Sequence, residues 1–156
     1  TRPEPTALIL SRQGLKSQER TSIDGVAKGA YIVSGNSGDV DVCILATGSE
    51  LGLAMDAAAE LSSAGKTVRV VSMPCWELFN EQDAAYKADV LSGAKGYVSI
   101  EAQTSMGWHQ YIGADGLAIS VEGFGASAPI KDIVREYGFE TQQVVARITE
   151  YLNTRV

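Results

Sequence analysis

Between residues 40 and 73 the chain passes from an apolar run, Val40-Asp41-Val42-Cys43-Ile44-Leu45-Ala46, through a helix-period segment to a second run, Thr67-Val68-Arg69-Val70-Val71-Ser72-Met73, which Pro74 ends. Residues 42–46 carry no polar side chain, as a strand covered on both faces requires. The intervening segment opens with Thr47-Gly48-Ser49-Glu50, and Leu51, Met55, Ala58 and Leu61 then recur at helical spacing until Gly65 stops them. Thr47 or Ser49 is placed to cap the first free amides, and Glu50 lies favourably against the positive end of the helix dipole. A strand, a helix and a strand in this order form a right-handed crossover between parallel strands. That unit restricts the chain to an α/β architecture with helices covering both faces of a sheet.

The remaining segments extend the pattern. Residues 30–34 (Ala-Tyr-Ile-Val-Ser) form a β-branched and aromatic strand closed by Gly35-Asn36-Ser37-Gly38, and the short connection to residues 40–46 predicts an antiparallel edge pair. A helical stretch through Trp76, Leu78, Phe79 and residues 86–91 leads to a strand over 96–102, and another strand is expected over 117–124. Pro129 suits the first turn of a helix running to about residue 137 with Gly138 as its stop, and Thr141 caps a last helix through Leu152. The resulting fold class is α/β: a three-layer α/β/α arrangement around a mostly parallel, doubly wound sheet with an antiparallel edge strand. Upstream of it, residues 1–6 hold Pro3 and Pro5 and read as an extended lead-in, residues 6–10 as a short strand with no evident neighbour, and residues 16–24 as a charged, solvated linker. A domain boundary falls there.

The length of 156 residues suffices for one main domain with a buried core. With 13 basic against 19 acidic side chains the formal charge is −6, which excludes a basic nucleic-acid binder as the default reading. The apolar runs fall far short of the roughly 18 residues that a membrane span needs. Cys43 and Cys75 sit in apolar contexts without CxxC spacing and read as reduced core thiols of a cytoplasmic protein. His109 is the single histidine, so no metal site built from several histidines can form within this chain. No basic-then-apolar leader opens the sequence, and the start at Thr1 reads as that of a fragment, a processed product or an excised piece.

Four places could carry chemistry. The turn Thr47, Gly48, Ser49, Glu50 ends a strand and opens a helix, where open α/β sheets bind ligands, yet it has one glycine, an acidic residue at the helix start and no phosphate-loop spacing; a plain capped helix is the stronger reading. His109 lies between Trp108 and Gln110 with no second histidine to work with and reads as a surface or helix-face residue. Glu101 follows the third parallel strand as a lone carboxylate, which fits a cap or an interface contact better than a general base. Arg12 carries a planar guanidinium able to bind a phosphate through two parallel hydrogen bonds, but by residue type alone it is a solvated linker arginine.

Resemblance changes the weight on Arg12. Ala7-Leu8-Ile9-Leu10-Ser11-Arg12-Gln13 resembles the Leu-Ser-Arg-Gln segment that joins the pyrimidine-binding domain of transketolases to their C-terminal domain. Lys28-Gly29-Ala30-Tyr31-Ile32-Val33 is similar to that family's Gly-Gly-Tyr-Val strand, although Ala30 stands where a glycine is common. Ile44-Leu45-Ala46-Thr47-Gly48-Ser49-Glu50 resembles its Ala-Thr-Gly-Ser-Glu turn. Residues 68–74, Phe124-Gly125-Ala126-Ser127-Ala128-Pro129 and Glu136-Tyr137-Gly138-Phe139 follow in the family's order.

The resemblance implies that residues 1–22 are the linker and the end of the pyrimidine-binding domain, and residues 23–156 the transketolase C-terminal domain. It implies a homodimeric, cytoplasmic enzyme of the pentose phosphate pathway that moves a two-carbon ketol unit between sugar phosphates. Thiamine diphosphate and a divalent ion, Mg2+ or Ca2+, would be held by the upstream cofactor-binding domains. It further implies that Arg12 contacts the substrate phosphate, that no catalytic, cofactor or metal residue lies in this chain, and that the isolated chain is inactive. Neither nucleic acid nor membrane is an expected partner. Two other readings stand beside it: an autonomous regulatory module binding a nucleotide-like ligand at residues 47–50, and a subunit of a split transketolase or of a related synthase.

Overall fold

In β2 (Val40–Ala46) the side chains of Val42, Ile44 and Ala46 enter one buried cluster and those of Cys43 and Leu45 enter another, and all five are fully inaccessible. This is the physical content of the unbroken apolar run: a central strand has no solvent face. The structure, a computed structural model, describes residues 5–155. Residues 1–4 of the expected lead-in lie outside the described residues.

The elements in chain order are α1 (Ile23–Ala27), β1 (Tyr31–Ser34), β2, α2 (Glu50–Ser63), β3 (Val68–Ser72), α3 (Trp76–Asn80), α4 (Ala84–Leu91), β4 (Ala94–Ile100), α5 (His109–Ile112), β5 (Leu117–Ile119), α6 (Ile130–Glu136) and α7 (Thr141–Asn153). The sheet order is β1-β3-β2-β4-β5. β2 pairs parallel with β3 and β4, and β4 parallel with β5, whereas β1 runs antiparallel along β3 with Tyr31 opposite Ser72. One face is covered by α2 and α7, where Ala54, Ala57, Ala58, Leu61, Val144 and Ile148 meet Val42, Ile44, Val70, Val98 and Ile100. The other is covered by α3, α4 and α5 through Phe79, Val90, Trp108 and Ile112. The expected three-layer α/β/α sheet is therefore the observed one.

Several local expectations need correction. β1 pairs with β3 and not with β2, because both edges of β2 are taken by parallel partners. Residues 35–39 instead arch over the start of β3, where Gly35 sits at φ +80° and any Cβ would meet the Val68 carbonyl. Arg69 of β3 holds that arch: its guanidinium is fully buried and donates to the carbonyls of Asn36, Gly38, Val90 and Ser92. Residues 6–10 form no strand. Leu8, Ile9 and Leu10 are exposed, and an extended segment without a hydrogen-bonding neighbour is not a strand.

The strand expected over 117–124 ends at Ile119. On α2 the fully buried stripe is Ala54, Ala57, Ala58 and Leu61, with Leu51 and Met55 at its margin. Glu140, not Thr141, caps α7, in a reciprocal pair with Gln143. Pro129 and Gly138 do bracket α6 as expected, with Gly138 at φ +77°.

Candidate functional site

Because α2 carries the chain from β2 to one side and the α3–α4 connection carries it back to the other, the winding reverses between β2 and β4. Ligands of open α/β sheets bind in the crevice at such a point, outside the carboxyl ends of the strands. A cleft of about 630 Å³ lies there. Ser49 with Glu50 and Leu53 of α2 form one wall, Ala102, Gln103 and Thr104 after β4 a second, and Val121, Gly123, Gly125 and Ala126 after β5, with Ile130 and Val134 of α6 and Tyr137 at its end, a third. Gln13 and Leu15 of the N-terminal segment complete it.

The turn that opens α2 is built by Gly48, whose φ of +56° suits a residue without a side chain. Ser49 is the N-cap residue, but its hydroxyl does not accept from a helix amide. It donates to Glu50 Oε1 at 2.7 Å. The second carboxylate oxygen of Glu50 accepts from the Ala102 amide at 3.4 Å, which ties the end of β2 to the end of β4 across the reversal. Thr47 and Gly48 do not line the cleft, whereas Ser49 and Glu50 do.

Two further carboxylates brace the same edge. Glu101 Oε2 accepts from the indole N–H of buried Trp108 at 2.6 Å and from Gln103 at 2.8 Å, so this residue anchors a loop within the domain and caps no helix. Trp108 stands edge-on to Trp76 and Tyr111 within the second core. Glu122 Oε1 accepts from the Ser120 hydroxyl at 2.6 Å and the Ser105 amide at 3.0 Å, and these bonds hold its carboxyl below the ordinary range.

His109 is exposed at the start of α5. Since a carbonyl only accepts, its Nδ1 carries the proton donated to the Gly113 carbonyl at 3.0 Å, and the ring closes its own short helix. Arg12 is exposed, has no hydrogen bond among the described residues and does not line the cleft, although its neighbour Gln13 does. Cys43 is buried as expected, and burial pushes its thiol up to about 12. Cys75 is half-buried, with its S–H directed at Glu77 Oε2, 3.4 Å away.

Among the described residues neither lysine, arginine, histidine nor cysteine lines the cleft, and Glu50 occupies the helix start where a phosphate would sit. Its wall is largely apolar, so it suits a neutral, apolar group better than an anion. Among the described residues no group of three or more His, Cys, Asp or Glu side chains could hold a metal ion. No described helix is long and apolar enough to cross a membrane. Sequence reasoning missed Arg69 and Glu122 and, although it singled out Glu50 and Glu101, missed the bonds by which they brace this edge. A lone arginine inside an otherwise apolar strand was the available signal for the first, and nothing local signals the others.

Residues 29–140 match a protein-family model described as the transketolase-like TK C-terminal domain. The chain is 52% identical over 148 residues to the chloroplastic transketolase of Solanum tuberosum, a match covering 93% of this chain and 20% of that protein. It is 46% identical over 149 residues to the transketolase of a Nostoc species, covering 95% of this chain and 22% of the relative. Among solved structures, transketolase from Leishmania mexicana superposes with a TM-score of 0.82 at 41% identity, covering 92% of this chain and 21% of that one. The chain thus spans about a fifth of the length of the curated relatives it matches.

Proposed function

This chain belongs to the transketolase family, as its C-terminal domain, and on that premise we propose that it serves an enzyme transferring a two-carbon ketol unit between sugar phosphates. The observation that carries the reading is the family match over residues 29–140 together with close identity across nearly the whole chain. We place residues 23–156 in that domain and residues 1–22 in the linker and the end of a pyrimidine-binding domain. A Ser22 side chain accepting from the Gly25 amide to start α1 supports the boundary.

The chain's own work in this reading is structural: it packs on upstream domains of the same polypeptide and supports a homodimer in the cytoplasm. Thiamine diphosphate and Mg2+ or Ca2+ are assigned to those upstream domains. The described residues do not fit either group, since none of them brings a cationic side chain to the cleft for a diphosphate and no described cluster suits a metal. No step through them is placed on this chain.

Arg12 is the one residue assigned to substrate. It is exposed and unpaired within the described chain, so its guanidinium is available to a sugar phosphate presented from outside the domain. Phosphate binding remote from the reacting carbons helps orient them. In the longer polypeptide Arg12→Ala is expected to raise KM for phosphorylated sugars by about tenfold or more. Unchanged kinetics with a sugar phosphate would sink this assignment. The isolated 156-residue chain is expected to show no ketol transfer.

The cleft itself supports a second reading, a ligand site at Ser49 and Glu50. Its lining favours a neutral ligand over a nucleotide, and calorimetry with each class on this chain would separate the two.

A further inference from the structure

β2, β3, β4 and β5 run the same way, so the connections at residues 47–49, 73–75, 101–108 and 120–129 all leave one edge of the sheet. Since Tyr31 lies opposite Ser72, the chain entering β1, with α1 just before it, meets that same edge. Every exposed large apolar side chain among the described residues lies there or in the N-terminal segment. Phe124 is 99% exposed, Ile23 86%, Met106 79% and Ile130 57%, and Leu15 and Val26 join them. Among the described residues the opposite edge has none. Its turns carry Asp39, Lys66 and Asp115, and beside them stands the ion pair of Asp41 with Lys95.

The acidic residues around the apolar ring do not keep it wet. Glu50, Glu101 and Glu122 each accept hydrogen bonds from inside the domain. Covering this edge therefore leaves those carboxylates with partners, and the usual cost of desolvating them is reduced. Exposed large apolar side chains gathered on one edge of the sheet, with none on the other among the described residues, mark an interface.

We infer that the carboxyl edge of the sheet is the face on which the preceding part of the longer chain docks, with Leu15, Ile23, Val26, Met106, Phe124 and Ile130 as its apolar contacts. The inference deepens the function proposed above and rests on it. The occupant is argued from two observations. The relatives are about five times longer than this chain. Gln13 and Leu15 of the N-terminal segment lie in the cleft wall, so whatever precedes this chain is tethered to this edge through residues 1–12. A partner tethered through so short a segment meets the face at high effective concentration.

The test is thiol labelling of the longer polypeptide carrying Phe124→Cys, Met106→Cys or Ile130→Cys one at a time, with Ser37→Cys on the opposite edge as the exposed control. Peptide mass spectrometry keeps each engineered site apart from the half-buried Cys75. Each substitution is at an exposed position, so folding is not at stake. Docking predicts reaction at the three apolar sites at least about tenfold slower than at Ser37→Cys, since labelling then waits on an opening event. Equal rates would overturn the inference. Protection that vanishes on dilution would overturn it too, since a second copy of the chain would then be the occupant. A ketol-transfer assay on the same parent protein separates the two claims. Transfer without protection removes the docking face alone, and protection without transfer removes the enzymatic reading and leaves the face.

Discussion

Replacing Arg69 by methionine keeps most of the side-chain volume and deletes a fully buried guanidinium that serves four backbone carbonyls. Its Nε donates to Asn36 O at 2.8 Å, its NH1 to Val90 O at 3.1 Å and Ser92 O at 2.8 Å, and its NH2 to Gly38 O. Among the described residues no carboxylate pairs with it. A hydrogen bond involving a charged group contributes about 1.5–3 kcal/mol, so four would sum to roughly 6–12 kcal/mol before the desolvation of the guanidinium is set against them. That desolvation costs several kcal/mol.

Only the Val90 contact is wholly buried, and the other three carbonyls can recover water when the arginine is lost. The net loss for Arg69→Met is therefore about 3–4 kcal/mol, which for a chain of this size lowers Tm by roughly 6–16 °C. Arg69→Lys should fall between the two, because a single ammonium cannot span carbonyls on the 35–39 arch and on the end of α4 together. Thermal melts followed by circular dichroism measure the shift, and amide exchange at residues 36–39 should accelerate with it. A methionine variant melting within about 2 °C of the parent would refute the reasoning, because it would mean that water or packing replaces all four bonds at no cost.

Other consequences are equally open to measurement. Lys95 and Thr67 donate to Asp41 and hold its carboxyl well below the usual range, so the stability it contributes is present above the unfolded value near pH 4 and is lost as pH falls through the folded one. Asp41→Asn should flatten the acid limb of the stability profile below about pH 4 and leave neutral-pH behaviour less changed; an unaltered acid limb would remove Asp41 from the account. Gly29 sits at φ +84°, with a would-be Cβ 2.3 Å from Cys75 O and from Phe79 N. Gly29→Ala should cost at least about 2 kcal/mol in urea titrations, from backbone strain plus the collision. Native-state labelling with a maleimide at pH 8 should modify Cys75 and spare Cys43, because burial has pushed the Cys43 thiol up to about 12; two fast labels by mass would contradict the burial.

Much of the fold was legible because the signals are local. The apolar run of β2 announces a strand without a solvent face, Pro129 and Gly138 announce the ends of α6, and Thr47-Gly48-Ser49-Glu50 announces a strand-to-helix turn. Each depends on residues within a few positions of one another, where propensity and periodicity act. What failed were pairings. A short connection favours joining residues 30–34 to residues 40–46, yet β1 lies on β3, because β2 gains more from two parallel neighbours and Arg69 fastens the arch that lets the chain step past.

The site divides the same way. The position of the cleft follows from strand order, and the reversal between β2 and β4 places Ser49 and Glu50 in its wall. Its character does not follow from the motif. The absence of cationic lining among the described residues and the use of Glu50 to bind Ala102 are tertiary facts, and they make the cleft one suited to neutral groups, where the turn by itself read as a plain capped helix start.

By itself, the amino-acid sequence determined the α/β class, the five strands of the sheet in their chain order and, through ordered motifs, the family to which the chain belongs, but not α1 or the division of α3 from α4. Tertiary structure alone decided which strand edges meet, where the buried arginine finds its acceptors, and that the exposed apolar side chains gather on the carboxyl edge of the sheet. The reason is physical. Secondary structure is chosen by interactions within a turn or two of the chain, whereas strand partnership, burial of charge and the polarity of a whole face are set by residues tens of positions apart that become neighbours only when the sheet closes.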